Sequence, residues 1–506
     1  GKKIFDQFYV DEDYNIPEAK EDVRRIVDTG TELKIEEIRP VENYVRITGK
    51  LYFRILYLNV SSDPKPGVLE GKLPFEEMVY AENQEGEEFY VQNVRIEFTP
   101  SLIHSRKLSL RAMVELEVGR EKLVDEETVT DAEGDVPLYK KMKKVQLLQL
   151  EVTKKDTYRI KEEITIPGTK ESIGQILFTD ISERKLELRP GQDELIVRGE
   201  LFLFCMYLSG DEKPDWISQT IPYEGRIPCE GISEEMYFSI RHTMEDTLTD
   251  LRMDEDGEMR ILGIEGTLAL HMNFYREESV ELLEDLYSLQ KQCLFDTTEV
   301  VCEELLMQNQ SKCKVTERLS LPELKTDVLQ ILHARGAIQV EHADRTGEGI
   351  RVEGILHLSF LYLRGDDAEP YGSWQGMIPF EHQIECKEMP EETVYNMEQH
   401  IEQLQITLVG SESVEIKGIL TFDTFLRRPV KVWTMENVRE EPLDLEQLEK
   451  RPSIVGHIVQ RGEDLWQLAK QYMTTKEGIM EVNGMQNENV KEGDKLLIFK
   501  ENMSIL

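Results

Sequence analysis

Three stretches of this chain alternate apolar and polar residues around a central glycine, and they do so in the same way. Val45-Arg46-Ile47-Thr48-Gly49 runs on to Tyr57-Leu58, Leu195-Ile196-Val197-Arg198-Gly199 to Tyr207-Leu208, and Ile350-Arg351-Val352-Glu353-Gly354 to Tyr362-Leu363. A period of two puts successive side chains on opposite faces, so each stretch reads as a half-buried β-strand. The glycines are spaced by 150 and 155 residues. Two further echoes keep the same order. Leu73-Pro74-Phe75-Glu76 returns as Ile221-Pro222-Tyr223-Glu224 and Ile378-Pro379-Phe380-Glu381, and a second alternating run appears at Leu108–Ala112, Ile261–Gly266 and Val414–Leu420. A repeat this long is a tandem domain, because solenoid units run to only about 20–50 residues.

Each unit opens on a proline pair, Ile16-Pro17, Ile166-Pro167 or Leu321-Pro322, followed by apolar residues three apart: Val23 and Ile26, Ile173 and Ile176, Val328 and Ile331. Proline suits the first turn of a helix and a spacing of three marks one helical face, so the pattern predicts an N-terminal helix in every unit. The expected fold is α+β and β-dominated: three tandem repeats of one antiparallel-sheet domain, each with an N-terminal helix, at 1–150, 151–305 and 306–440. Pro442 and Pro452 bracket a short, charged, helix-like segment, read as a linker at 441–453.

The tail, 454–500, has a different rhythm. His457-Ile458-Val459 is a short strand, and Leu465, Leu468, Ala469 and Tyr472 fall on one helical face with Asp464 placed to cap it. Ile479–Val482 forms a second amphipathic run closed by Asn483-Gly484, and Gly493-Asp494-Lys495-Leu496-Leu497-Ile498 ends in a strand. The order is βααβ.

Charge narrows the range of partners. The chain carries a formal net charge of -39 over 506 residues, and nearly all of the excess lies before residue 456. Like charge repels a phosphate polymer, so nucleic acid is not an expected partner and attraction to an anionic membrane surface is weak. No run reaches the roughly 18 apolar residues that span a bilayer, so no transmembrane segment is expected. The opening Gly1-Lys2-Lys3-Ile4-Phe5-Asp6 lacks the apolar stretch and cleavage site of a signal peptide.

Candidate chemistry is sparse. The six cysteines, Cys205, Cys229, Cys293, Cys302, Cys313 and Cys386, form no CxxC pair, which argues for reduced structural thiols. Cys205 takes the slot of Ile55 and Phe360, and His357 that of Tyr52 and Phe202, so both read as packing positions. Glu76, Glu224 and Glu381 recur in all three units, as a turn or interstrand contact would. His333 and His342 stand out against their repeat mates but lie nine apart without an acid or cysteine partner in the sequence, and HExxH is absent. No phosphate loop, nucleophile elbow or Cys-His arrangement occurs. The expectation is no catalytic residue, no metal, no cofactor and no enzyme.

The tail resembles a LysM module, through Val459, Gly462, Leu465, Trp466, Ala469, Thr474-Thr475, Asn483-Gly484, Gly493, Leu496 and Ile498. That resemblance implies a shallow groove for N-acetylglucosamine polymers such as peptidoglycan. The groove would be lined by Gly462, Glu463, Asp464 and Leu465 and by Asn487, Glu488, Asn489 and Val490, with Trp466 at its edge or in the small core. Asp464 stands where the family usually has Thr or Ser, and Glu492 where it has Pro. The repeats together with this tail resemble the SPOCS-domain, SipL-like architecture of spore-forming Firmicutes. This implies a spore-envelope scaffold in the mother-cell cytoplasm at the forespore surface, whose LysM module engages a coat morphogenetic ATPase of the SpoIVA type. Two other readings stay open: a peptidoglycan-binding protein of the cell wall or cortex whose export signal has been removed, and a hydrolase using the LysM module as an anchor.

Overall fold

The computed structural model describes residues 3–324 and 327–500; Gly1 and Lys2 of the opening run lie outside the described residues. Each repeat is a pair of three-stranded antiparallel sheets. In the first, β2 (Val23–Val41), β3 (Tyr44–Asn59) and β4 (Pro66–Tyr80) form one sheet, while β1 (Ile4–Asn15) and β5 (Glu87–His104) flank β6 (Lys107–Lys122) in the other. The second repeats this with β8 (Ile173–Pro190), β9 (Glu194–Ser209) and β10 (Pro214–Pro228), and with β12 (Met259–Tyr287) between β7 (Tyr139–Thr165) and β11 (Tyr237–Met253). The third uses β14 (Val328–Thr346), β15 (Gly349–Arg364) and β16 (Tyr371–Glu385), and β18 (Ser413–Pro442) between β13 (Lys291–Ser320) and β17 (Val394–Leu408). The inward faces of the two sheets pack on each other, in two clusters in the first repeat and one in each of the others. In the second, Leu195, Val197, Leu201, Leu203, Cys205 and Tyr207 of β9 meet Leu262, Ile264, Leu268 and Leu270 of β12.

The β-dominated, threefold antiparallel architecture follows the alternating pattern, but the predicted N-terminal helices are not there among the described residues. The proline pairs form turns: Lys20 N donates to Pro17 O at 2.9 Å and Lys170 N to Pro167 O at 3.0 Å, and Pro322–Leu324 is a single 3-10 turn. Arg106 holds the first turn through the carbonyls of Ile16, Pro17 and Lys20, and Arg260 holds the second through those of Pro167 and Lys170. The spacing of three has a different origin. Register shifts fall between Val23 and Arg25 and again between Ile26 and Asp28, and the same two recur at Ile173/Gln175 and Ile176/Phe178 and at Val328/Gln330 and Ile331/His333. Each bulge inserts one residue into the alternation, so inward positions fall three apart rather than two.

The glycine and the Pro-aromatic echo are two halves of one contact. Gly49 lies opposite Phe75, Gly199 opposite Tyr223 and Gly354 opposite Phe380. A Cβ on these glycines would come within 2.9 Å of the Phe75 ring, 2.5 Å of the Tyr223 hydroxyl and 2.6 Å of the Phe380 ring. The missing side chain leaves a slot on the strand, and the cross-strand aromatic covers it. The glutamate that follows pairs across the sheet in every repeat, Glu76 with Arg46, Glu224 with Arg198 and Glu381 with Arg351. These are exposed pairs worth at most about 1 kcal/mol each, and they fix register more than stability.

Beyond the glycine the alternation stops. Ile55, Leu56, Tyr57 and Leu58 are all buried, as are Phe204, Cys205, Met206 and Tyr207. Their second face enters a core shared by all three repeats, built from Val27, Leu56, Leu58, Leu177, Phe178, Phe204, Met206, Leu332, Leu361 and Tyr371. Beside it, polar contacts join the repeats in a ring. Arg54 donates to Thr179 O at 3.3 Å, Asp180 meets His333 Nε2 at 2.6 Å, and Arg335 Nη2 donates to both Asp28 oxygens at 2.7 and 2.8 Å.

A second compact unit gathers Asp125–Gln149, Glu277–Leu305 and the chain from Arg427 onward. It carries the outer halves of β7, β12, β13 and β18, packed on Leu147, Leu282 and Val432 and on Leu283, Leu286 and Met435. It also holds α1 (Leu445–Glu449) and the tail, β19 (Ile454–Ile458), α2 (Leu465–Gln471), α3 (Lys476–Val482) and β20 (Lys495–Phe499).

Replacing Gly199 by Ala forces the Tyr223 ring out of its slot. The expected loss is about 1–3 kcal/mol of unfolding free energy in a denaturant titration, typical of overpacking. Gly210→Ala, where a Cβ would meet nothing within 4 Å, is expected to be near neutral; equal effects at the two sites would contradict the pairing.

Candidate functional site

The tail forms the expected βααβ module. Gly462 takes a left-handed φ of +84° that turns β19 toward α2. Asp464, extended at φ -121°, caps α2 by accepting from Gln467 N at 2.8 Å, and Thr475 caps α3 by accepting from Gly478 N at 2.9 Å. The two helices cover one face of the β19–β20 pair. Asn483, at the end of α3, ties it to β20: its amide donates to Leu497 O at 2.7 Å and its oxygen accepts from Leu497 N at 2.8 Å. Leu465, Leu468, Ala469, Ile479, Leu496 and Ile498 close the core.

The residues expected to line a groove do not share one environment. Gly462, Asn487, Glu488 and Asn489 are exposed, while Val490 packs against the module's core. Glu463 is engaged internally, meeting His457 Nε2 at 2.7 Å and accepting from Gln460 N at 3.1 Å; the His457 contact holds its carboxyl below the ordinary value. Asp464 lies 3.5 Å from Lys141 Nζ. Glu488 pairs with Lys476 at 2.9 Å, and Asn487 folds back on the amide of Asn489 at 3.0 Å. Leu465 and Trp466 are buried, at 2% and 6% exposure, so neither presents a face to a groove.

Trp466 is held by residues the sequence pattern did not single out. Its indole N–H donates to Asp285 at 2.9 Å, and its ring meets Tyr287 edge-on at 5.0 Å. Asp285 also accepts from Lys470 at 2.7 Å, while Tyr287 donates its hydroxyl to Thr474 O at 2.7 Å and stacks on Tyr139. The module is therefore seated on strand residues of its own unit through one face of α2. The Leu-Glu-Asp-Leu-Tyr run containing both partners is one acidic strand segment among many, and nothing local marks it.

Comparison with known families fits this geometry. A family model described as SipL, SPOCS domain matches residues 22–99, 172–252 and 327–409, and a LysM domain model matches 457–499. The chain belongs to the SipL family. Each SPOCS match spans the bulged strand, the glycine-centred strand, the Pro-aromatic strand and the strand after it; the remaining strands of each repeat lie outside the match. The domains of this SipL-family chain are non-catalytic binding modules, and together they are those of a sporulation-related, peptidoglycan-binding scaffold. No curated protein and no solved structure matches the chain. Among the described residues no helix is long and apolar enough to cross a membrane.

Among the other candidates, Cys205 is wholly buried, and His357 is half-buried against Gln339. His333 does have an acid partner, Asp180, supplied by another repeat and so invisible to local spacing. A cavity of about 350 Å³ lies mainly between the second and third repeats and is lined in part by His242, Gln310, Asn396, Glu398 and Asp423. Glu183 lies 3.7 Å from His242, and the ring of His400 is 5.9 Å from that of His242. Burial, with some help from Asp423, pushes Glu183 up to about 8, and burial pushes His242 down to about 4. These groups are held neutral at neutral pH, the cheaper state for an ionisable group in such a joint.

Two outcomes follow. Asp285→Ala strands the Trp466 N–H and the Lys470 ammonium, and is expected to speed amide hydrogen exchange across α2 by roughly tenfold or more, matching a loss of about 1–3 kcal/mol; unchanged exchange would refute the seating. For Glu183, a raised folded pKa means stability is fully present below the ordinary carboxylate value and is lost as pH climbs toward about 8. The unfolding midpoint of Glu183→Gln relative to the parent should therefore rise steadily from pH 5 to pH 8.5, and a flat difference would refute the assignment.

Proposed function

We propose that this chain is a non-enzymatic scaffold of spore-envelope assembly, acting in the mother-cell cytoplasm at the forespore surface, and that its LysM module docks a coat morphogenetic ATPase of the SpoIVA type. The observation that supports this reading is the outer face of β19–β20. Ile454 at 53%, Ile458 at 54%, Leu497 at 49% and Phe499 at 42% are exposed on it. Ile454 stands directly opposite Phe499, and Leu497 opposite Gly456, whose lack of a side chain leaves the leucine uncovered. An apolar sheet face of this kind suits a protein surface, which gains by excluding water from it. It suits a polyhydroxylated sugar poorly, and the tryptophan best able to stack on one is buried.

A second reading keeps its own observation. Asn487 and Asn489 remain exposed in the loop before β20, where amides can hydrogen-bond the acetamido groups of a peptidoglycan chain.

Surface plasmon resonance with the full chain separates the two. Leu497→Glu and Phe499→Glu are expected to weaken binding of the ATPase by about tenfold or more, as loss of an interface anchor does, while Asn487→Ala and Asn489→Ala leave it unchanged. An ATPase that does not bind the parent chain, combined with micromolar muropeptide binding abolished by the asparagine variants, would replace the first reading with the second.

A further inference from the structure

The ring that joins the three repeats leaves one guanidinium without a carboxylate at its side. Its members occupy equivalent positions, because Gly30 is opposite Arg54 in β2–β3, Asp180 opposite Phe204 in β8–β9, and Arg335 opposite Ser359 in β14–β15. The repeats have thus diverged at one point, and the charges found there nearly balance. Asp28 takes Arg335, and Asp180 takes His333. Burial pushes the Asp180 carboxyl up, but the His333 hydrogen bond and the charges of His333, Arg335 and Arg54 outweigh it and hold the carboxyl well below the usual range. Arg54 has no carboxylate at ion-pair distance among the described residues. Its contacts are the Thr179 carbonyl at 3.3 Å and the Phe178 ring at 4.2 Å. Its Nη2 is shut off from solvent and has no hydrogen-bond partner among the described residues.

A guanidinium in that position is unfavourable without an anion, since buried charges are retained only when paired. Burial lowers its affinity for the proton, as expected of an uncompensated cation. The nearest acids do not close the gap. Glu70 stands opposite Arg54 in the register but is exposed and forms no hydrogen bond or ion pair with it, and burial, then the charges of Asp246 and Glu245, push the Glu32 carboxyl up from its ordinary value. Beside Arg54 opens a cleft of about 710 Å³, lined also by Lys72, Arg335 and Thr179 and by the acids Glu32, Glu70 and Asp180, the last of which is already engaged by His333. Gly30 lets the two guanidiniums approach each other: a Cβ there would lie 2.6 Å from Arg54 Nη2 and 3.2 Å from Arg335 Nη1. Arg335 Nη1 takes no part in the contact with Asp28.

We propose that this cleft binds a small oxyanion, phosphate or carboxylate, between the guanidiniums of Arg54 and Arg335. The anion gives Arg54 the direct partner it lacks and locks the three repeats together. Guanidinium groups take phosphate and carboxylate oxygens through paired N–H donors, so either oxyanion fits the chemistry.

The test is thermal unfolding of the full chain in rising phosphate, citrate or chloride at constant ionic strength. The net charge of -39 disfavours general anion binding, so a saturable rise of the unfolding midpoint reports a site. The structure predicts such a rise with phosphate or citrate over chloride, and the stronger of the two identifies the oxyanion. Arg54→Met, which keeps the stem and removes the fork, should weaken apparent affinity by about tenfold or more. Should that variant fail to fold, two changes at the cleft mouth take its place: Lys72→Met should weaken binding and Glu70→Gln should tighten it. A midpoint that follows chloride, an undiminished effect in Arg54→Met, or no change in either mouth variant would overturn the proposal.

Discussion

The structure of the three repeats depends on burying both faces of one sheet in each. A three-stranded sheet packed on one partner leaves its second face to water. In every repeat the glycine-centred strand runs from a segment buried on one face into one buried on both, Ile55–Leu58, Phe204–Tyr207 and the region of Phe360 and Leu361. Each fully buried aliphatic or aromatic side chain is worth about 1.5–3 kcal/mol relative to exposure. The shared core of Val27, Leu56, Leu58, Leu177, Phe204, Leu332 and Leu361 therefore makes association of the repeats comparable in strength to the folding of any one of them. That is why the repeated parts of the chain form one compact unit rather than separate beads.

Much of this was legible in the sequence, and the exceptions have physical causes. Alternation, the glycines and the Pro-aromatic echoes gave strand identity and register, and the facing of Gly199 and Tyr223 explains why the two motifs always travel together. The spacing of three after each proline was the misleading signal. Val23 and Ile26 face one core because the bulge between Val23 and Arg25 interrupts the alternation, and a bulged strand and a helical turn produce the same short apolar spacing. A spacing argument over four residues cannot separate them, whereas the following polar alternation, extending to Val41, belongs to a strand. The breakdown of alternation at Ile55–Leu58 was visible too, and in an antiparallel sheet it is the mark of a second buried face.

The ring shows what repeat comparison can and cannot find. His333 stands out because its repeat mates are Asp28 and Phe178, so divergence flags the position. Its partner Asp180 lies 153 residues away, and no local pattern joins them. Identical repeats could pair in any order, but a ring in which Asp28 requires Arg335 and Asp180 requires His333 accepts only one. Buried polar groups placed this way contribute more to specificity than to stability.

The same reasoning bears on the tail. As an isolated module of its size it would have a thin core, and Trp466, Lys470 and Thr474 would lie on its surface. Asp285 and Tyr287 take all three, which fixes the module's orientation on the strands beneath it and removes the α2 face from any binding role. The surfaces left are the loops at Gly462 and Asn487–Asn489 and the apolar outer face of β19–β20. Asn483 takes the outer edge of β20 at Leu497, but among the described residues that of β19 pairs with no further strand, so a partner reaching Ile454 and Phe499 can be held there by backbone hydrogen bonds as well as by apolar contact. A seated module therefore holds that edge at a fixed angle to the strands beneath it.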